Sequence, residues 1–306
     1  MGLEAAKYYI GKFRAADKVT VLYQFIIALI IIFNFKHIPY NRSFLIVHLL
    51  LIAGIMSLPL LKSNGFINWL RVWNQILILP FNFFELHFLV HQVHPLDMDA
   101  VLIKIDHLLF GVNPTVWLEK IQWAPLTEYL QLSYSSFYFL PLILFILLYR
   151  QGRMESFDYF AFIIVYGFYL SYLGYFLVPA LGPRFALAEL HNHPLNGLWF
   201  TRHLQHLLNT LENVQRDAFP SGHTAMTLLT MYFAAKFARK YFYVLLVIGS
   251  SLIFATVYLR YHYVIDVIAG FFLAWIVIVT GPLVYRWLNA VQWVPYGRLK
   301  DVVRER

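Results

Sequence analysis

Eight apolar runs, most of them near 20 residues, limit what this chain can become. A helix needs about 20 mostly apolar residues to cross the hydrocarbon core of a bilayer. The runs lie at Val19–Phe35, Ser43–Leu61, Trp69–Val90, Leu126–Tyr149, Tyr159–Pro179, His223–Phe237, Tyr241–Leu259 and Tyr263–Trp287. Apolar residues are 60% of the chain and charged residues 13%, and so few charges cannot solubilise that much apolar surface. Disorder, collagen and coiled coil are excluded on the same grounds. The expected fold is all-α: a polytopic integral membrane protein with about eight transmembrane helices. The chain has no cysteine, which excludes disulfides, thiolate metal sites and a thiol nucleophile.

The basic residues orient these spans. With the N-terminus inside, 16 of the 24 Lys and Arg residues fall in cytoplasmic segments and 8 outside. That bias follows the positive-inside rule with both termini cytoplasmic. The net charge of +8 then reads as orientation and contact with anionic lipid headgroups. No basic stripe interleaves with exposed aromatics, so no nucleic-acid partner is expected. The expected location is a plasma or inner membrane.

Two connecting segments are long, 91–125 and 180–222, and both fall outside. In the first, Val101, Leu102, Ile105, Leu108 and Leu109 have the spacing of an amphipathic helix lying at the surface. Asp97, Asp99 and Asp106 then read as solvated loop or interface residues. The second holds His191, His193, His203 and His206, a loop covering whatever lies beneath.

Three polar stretches border apolar helices on that outer face: Gly182-Pro183-Arg184, Phe219-Pro220-Ser221-Gly222-His223 and Arg260-Tyr261-His262-Tyr263-Val264-Ile265-Asp266. A helix opening on Pro-Ser-Gly-His offers free N–H groups, a hydroxyl and close backbone approach, which suits a bound phosphate. His223 stands one step inside, placed to exchange a proton with a leaving group. His262 and Asp266 are at i and i+4, on one helical face. A carboxylate on one ring nitrogen would leave the other basic and nucleophilic. Arg184 and Arg260 can grip phosphate oxygens through forked hydrogen bonds.

Together, Phe219-Pro220-Ser221-Gly222-His223 and His262-x-x-x-Asp266 resemble the type 2 phosphatidic acid phosphatase superfamily, which includes lipid phosphate phosphatases, polyprenyl pyrophosphate phosphatases and vanadium haloperoxidases. The resemblance implies a six-helix catalytic bundle over 67–290 with its motifs in 174–270. An N-terminal two-helix extension over 1–66 would precede it, and a basic cytoplasmic tail over 291–306 would follow. It also implies roles. His262 would attack phosphorus and form a phosphohistidine, Asp266 would orient it, and His223 would protonate the leaving alkoxide. Arg184, Ser221 and Gly222 would hold the phosphate, with Arg260 a further candidate. No metal and no cofactor are expected. The substrate would be a lipid phosphate or a polyprenyl pyrophosphate.

The chain departs from the usual family pattern. Leu177 stands where a Lys is usual, Thr256 stands where an Arg is usual, and Arg260 lies two residues before the histidine. The Tyr-x-Arg-Tyr-His-Tyr run is similar to the inositol phosphorylceramide synthase branch, whose members transfer a lipid phospho-headgroup to another lipid. Hydrolysis and transfer to a lipid or sugar alcohol therefore both stay open, as does an inert transporter or scaffold. Glu85, His87, His91 and His94 read as buried hydrogen-bonding groups or a polar cavity wall in preference to a metal site. Arg71 and Asn74 read as interhelical hydrogen-bonding groups.

Overall fold

The computed structural model describes residues 13–211 and 214–290. The expected tail over 291–306 lies outside the described residues. Thirteen α-helices follow one another, with no strand among the described residues. They are α1 (Ala15–Phe33), α2 (Asn41–Ser57), α3 (Gly65–Val93), α4 (Asp99–Phe110), α5 (Pro114–Trp117), α6 (Ala124–Ser135), α7 (Phe139–Arg150), α8 (Met154–Leu177), α9 (Pro183–Ala186), α10 (Thr201–Leu211), α11 (Gly222–Phe237), α12 (Arg239–Tyr258) and α13 (Val264–Ala290). Six of them, α1, α2, α3, α8, α12 and α13, are long and apolar enough to cross a membrane. Counting each of two bent pairs as a span raises the number to eight. The protein is an all-α polytopic membrane protein.

The eight expected runs are distributed differently from the eight spans. The run Leu126–Tyr149 is not one straight helix: α6 and α7 meet at a 47° bend. Its cause is a cluster of serines. Ser133, Ser135 and Ser136 each bond a carbonyl three or four residues back, at 2.6 to 2.9 Å, and such back-bonding bends helices. The run His223–Phe237 forms α11, only 16 residues long, and is walled in by α7, α8, α12 and α13. Its threonines 224, 227 and 230 are all buried. The other bent pair is α4 with α5 and the 3-10 turn after it, folded at 61°.

Helix α8 is the axis of the bundle. Its aromatic residues Phe157, Phe160, Phe162, Tyr169 and Tyr172 are buried against neighbouring helices, while Phe25, Leu50, Leu77, Phe272 and Trp275 face outward. The outward apolar surface is what a lipid solvent requires. Polar groups at the start of α1 join it to α8 and to α3. Arg14 Nε pairs with Asp158 Oδ1 at 2.7 Å, and Asn74 and Gln75 both donate to Asp17 Oδ1.

Deeper in, Gln24 Nε2 donates to Asn82 Oδ1 (2.7 Å), Asn82 Nδ2 donates to Glu85 Oε1 (2.9 Å), and Glu85 Oε2 lies 3.0 Å from His48 Nε2. His48 and Glu85 are both fully buried. His48 and Ile55 are the buried residues of α2, so this polar pair pins an otherwise lipid-facing helix to the bundle. His87, His91 and His94 continue up α3, but no group of three such side chains among the described residues is arranged to hold a metal ion.

Candidate active site

The catalytic candidates assemble where α11 and α13 begin. Ser221 caps α11, its Oγ accepting from the Thr224 N–H at 3.2 Å. Thr224 Oγ1 donates to the same oxygen at 3.0 Å. Both lone pairs of Ser221 Oγ are thus used, and its own O–H remains to donate. The Ser221 N–H is spent on the Asp266 carbonyl at 3.0 Å, which ties the two helix starts together. They touch closely at Gly270, where a Cβ would stand 2.7 Å from the Ser221 carbonyl oxygen.

The N–H groups of Tyr263 and of the first two residues of α13 find carboxylates. Tyr263 N–H donates to Asp266 Oδ2, Val264 N–H to Asp106 Oδ2 and Ile265 N–H to Asp106 Oδ1, each at 2.8 Å. Orphan donors at a helix start need such partners, so two acids freeze the turn that carries His262. A third acid holds the Arg184 turn. Asp99 accepts from Leu181 N–H and Gly182 N–H at 2.9 Å each and from the Tyr263 hydroxyl at 2.8 Å. Gly182 has φ +88°, with Tyr261 O at 2.6 Å from where a Cβ would be, so only glycine fits this turn.

Asp99 and Asp106 correct the surface-helix expectation. On α4 it is Asp99, Leu102 and Asp106 that are buried, while Val101, Leu108 and Leu109 are exposed. The helix is inside out relative to a soluble one. Its apolar stripe faces outward, and its acids point inward onto backbone donors. Asp97 bonds Arg216 at 2.6 and 3.1 Å.

His262 Nδ1 lies 2.8 Å from the Ala218 carbonyl oxygen. A carbonyl can only accept, so Nδ1 carries the proton and Nε2 keeps its lone pair. Asp266 Oδ2 stands 3.5 Å from the same Nδ1, so the closer orienting group is a backbone carbonyl. Asp266 Oδ1 is buried and without a hydrogen-bond partner. The bare Nε2 faces His223 Nδ1 at 3.4 Å. Burial holds the His262 imidazole down to about 4, aided by Arg184 and opposed by Asp217 and the Ala218 carbonyl. The ring is therefore neutral at physiological pH. Burial pushes the Asp217 carboxyl up, against the pull of Arg184 and His262.

An aromatic ladder sets the remaining distances. The Arg184 guanidinium lies 4.9 Å from the Tyr261 ring centroid, Tyr261 stacks on Tyr134 at 4.3 Å, and Tyr134 stacks on His223 at 4.7 Å. Phe137 closes the other side of His223 at 4.3 Å. Gly222 packs on the Tyr175 hydroxyl and Ser171.

The structure thus brings together His223, His262, Asp266, Ser221 and Gly222, with Arg184 reached through the ladder. The Arg260 side chain is held elsewhere. Its Nη2 donates to Glu119 Oε1 at 2.8 Å and to the His193 carbonyl at 2.6 Å. Arg260 enters the site through its own carbonyl, which accepts from the Arg184 N–H at 2.8 Å. Sequence reasoning missed Asp99, Asp106, Asp217, Tyr134 and the Ala218 carbonyl. The i, i+7 spacing of Asp99 and Asp106 on one helical face was the available signal for two of them.

A family model described as the PAP2 superfamily matches residues 101–280, from α4 into α13. A PA-phosphatase related-family protein of Dictyostelium discoideum is 28% identical over 209 residues, which is 56% of this chain and 37% of that protein. The chain therefore spans little more than a third of the curated relative it matches. No solved structure matches.

Proposed function

This chain belongs to the PAP2 superfamily, and from that premise we propose that it hydrolyses a lipid phosphate or polyprenyl pyrophosphate through a phosphohistidine on His262. One observation carries the reading. His262 is a buried neutral imidazole with Nδ1–H on the Ala218 carbonyl, presenting its lone-pair nitrogen 3.4 Å from a second histidine.

The steps follow from that geometry. His262 Nε2 attacks phosphorus and the bond to the leaving oxygen breaks. His223, which takes up a proton when the anionic phosphate binds beside it, delivers that proton to the leaving oxygen. The imidazole becomes positive as the N–P bond forms, and Asp266, with one oxygen unpartnered, stabilises that charge. Arg184 and the Ser221 O–H bind the phosphoryl oxygens. His223 then takes a proton from water, which displaces His262 and releases phosphate. Arg260 supports the outer loop in place of binding phosphate. The tail lies between helices, the active site opens on the non-cytoplasmic face, and both termini are cytoplasmic.

A second reading replaces water by an alcohol, which makes the protein a phosphotransferase acting on a lipid or sugar acceptor. It is favoured by the outer segment near His193, which Arg260 ties directly to the catalytic turn. Purified protein offered a panel of lipid phosphates and phospholipids, with and without alcohol acceptors, separates the two. Free phosphate supports hydrolysis and a new phospholipid supports transfer. Neither product from any substrate would overturn both.

A further inference from the structure

The hydroxyl of Tyr175 is a donor with nowhere to donate. Tyr175 stands in the last turn of α8 and is 4% exposed. Its oxygen accepts from the Ser171 hydroxyl at 2.9 Å, and the Gly222 N–H faces the same oxygen. Both lone pairs are thus engaged, and the phenol still carries its own proton. Among the described residues no acceptor stands within hydrogen-bond reach of that proton. We propose that the Tyr175 O–H binds a phosphoryl oxygen, which makes Tyr175 a further catalytic residue. The inference rests on the phosphohistidine reading and adds to it a donor supplied by α8.

The hydroxyl sits against the helix start that carries His223. A Cβ added to Gly222 would stand 2.8 Å from the Tyr175 hydroxyl and 3.1 Å from Ser171 Oγ, so glycine at 222 is what lets α8 bring a phenol to the backbone between Ser221 and His223. Ser221 presents a second hydroxyl proton there, since its oxygen accepts twice from Thr224. Two buried O–H groups at one helix start therefore lack acceptors within the protein. Leaving buried donors unmade is costly, and a phosphoryl group with three equatorial oxygens serves both.

The helix start itself has little left to give a phosphate. The Ser221 N–H is spent on the Asp266 carbonyl, the Thr224 N–H on Ser221 Oγ and the Gly222 N–H on Tyr175. Asp217 and Asp266 lie within electrostatic reach of the Tyr175 hydroxyl, so an arriving phosphate meets carboxylates that repel it. Leu177 ends the same helix without a cation and is 74% exposed. Arg184 answers the charge, and neutral O–H donors add to it. A phenol fixed by burial and by two incoming hydrogen bonds is directed before the substrate arrives, which is what stabilises developing charge. The phenol keeps its proton throughout: it donates a hydrogen bond and transfers nothing.

The test uses the full chain in nanodiscs of phosphatidylcholine. Orthovanadate serves as a five-coordinate mimic of the phosphoryl group in transfer, and inorganic phosphate as its ground-state counterpart. Tyr175→Phe keeps the ring and removes only the hydroxyl. It is expected to weaken orthovanadate binding about tenfold or more, to weaken phosphate less, and to lower kcat about a hundredfold with KM little changed. Ser171→Ala takes away a bond to Tyr175 but leaves the phenol proton, and is expected to stay close to the wild type in all three. As a second measurement, 3-fluorotyrosine at position 175 keeps every bond of the fold, and its 19F resonance is expected to shift when orthovanadate binds. A folded Tyr175→Phe with wild-type kcat and orthovanadate affinity, or a 19F resonance that orthovanadate leaves in place, would overturn the proposal. Orthovanadate bound by the wild type, lost in His262→Ala and unchanged in Tyr175→Phe defeats the role of Tyr175 alone. A wild type that neither binds orthovanadate nor turns over a lipid phosphate defeats the phosphohistidine reading with it.

Discussion

Replacing Asp217 with Asn is the sharpest probe of the electrostatics at His262. Burial takes this imidazole from the ordinary 6.5 down to about 4, and Asp217 is the leading influence in the opposite direction. At pH 5.5 a histidine titrating near 4 is about 97% neutral, while one near 6.5 is about 9% neutral. The wild-type acid limb of kcat/KM is therefore expected near pH 4, with about tenfold more activity at pH 5.5 than an unshifted histidine would allow. Removing the Asp217 charge moves the limb lower still. Stability follows the same sign. Between pH 6.5 and 4 the unfolded chain binds this proton and the native chain does not, so stability rises with pH there. The contribution, about 3 kcal/mol, is fully present above 6.5 and is lost as pH falls to 4. The assay is a pH–rate profile of both proteins on one substrate, with thermal unfolding followed in parallel. An acid limb near 6.5 in the wild type would refute the reasoning. So would a limb that rises in Asp217→Asn, because loss of a carboxylate beside the imidazole cannot favour its protonation.

Further outcomes test other parts of the account. Gly270→Ala places a methyl group 2.7 Å from the Ser221 carbonyl oxygen and 2.8 Å from Thr224 Cβ. The variant is expected to lose about 1–3 kcal/mol and to lower kcat, read by thermal unfolding and initial rates. Glu85→Leu strands His48 Nε2 and leaves Asn82 Nδ2 only its longer bond to Gln24 Oε1, at a cost of about 3 kcal/mol. The double variant with His48→Leu should recover part of that loss in a thermal double-mutant cycle. Chelation by EDTA is expected to leave activity intact, and loss restored by an added metal would contradict the metal-free mechanism.

Much of the candidate site was legible in the sequence because its chemistry is written in side chains at helical spacing. Pro220-Ser221-Gly222-His223 and the His262, Asp266 pair announce themselves this way, and Ser221 caps α11 as its residue type allows. The Ala218 carbonyl was not legible, because a backbone acceptor leaves no mark on residue identity. Asp99 and Asp106 were misread for a different reason. In a soluble protein acids on an amphipathic helix face water, but here lipid is the outer solvent and the acids satisfy buried N–H groups of α13 and the Arg184 turn. Arg260 looked like a phosphate ligand by its position near His262, and its partner Glu119, 141 residues away in sequence, could not be foreseen. The bend between α6 and α7 hid inside a continuous apolar run, marked only by its serines.

The central claim is that His262 becomes covalently phosphorylated. Rapid acid-free quenching of the purified protein with a labelled lipid phosphate, followed by peptide mass spectrometry, tests it directly. The account predicts an acid-labile, base-stable phosphoryl group on His262, absent in His262→Ala and formed more slowly in His223→Asn, where the leaving oxygen is no longer protonated. Turnover with no phosphoryl group on His262 at any time, or undiminished turnover in His262→Ala, would contradict it.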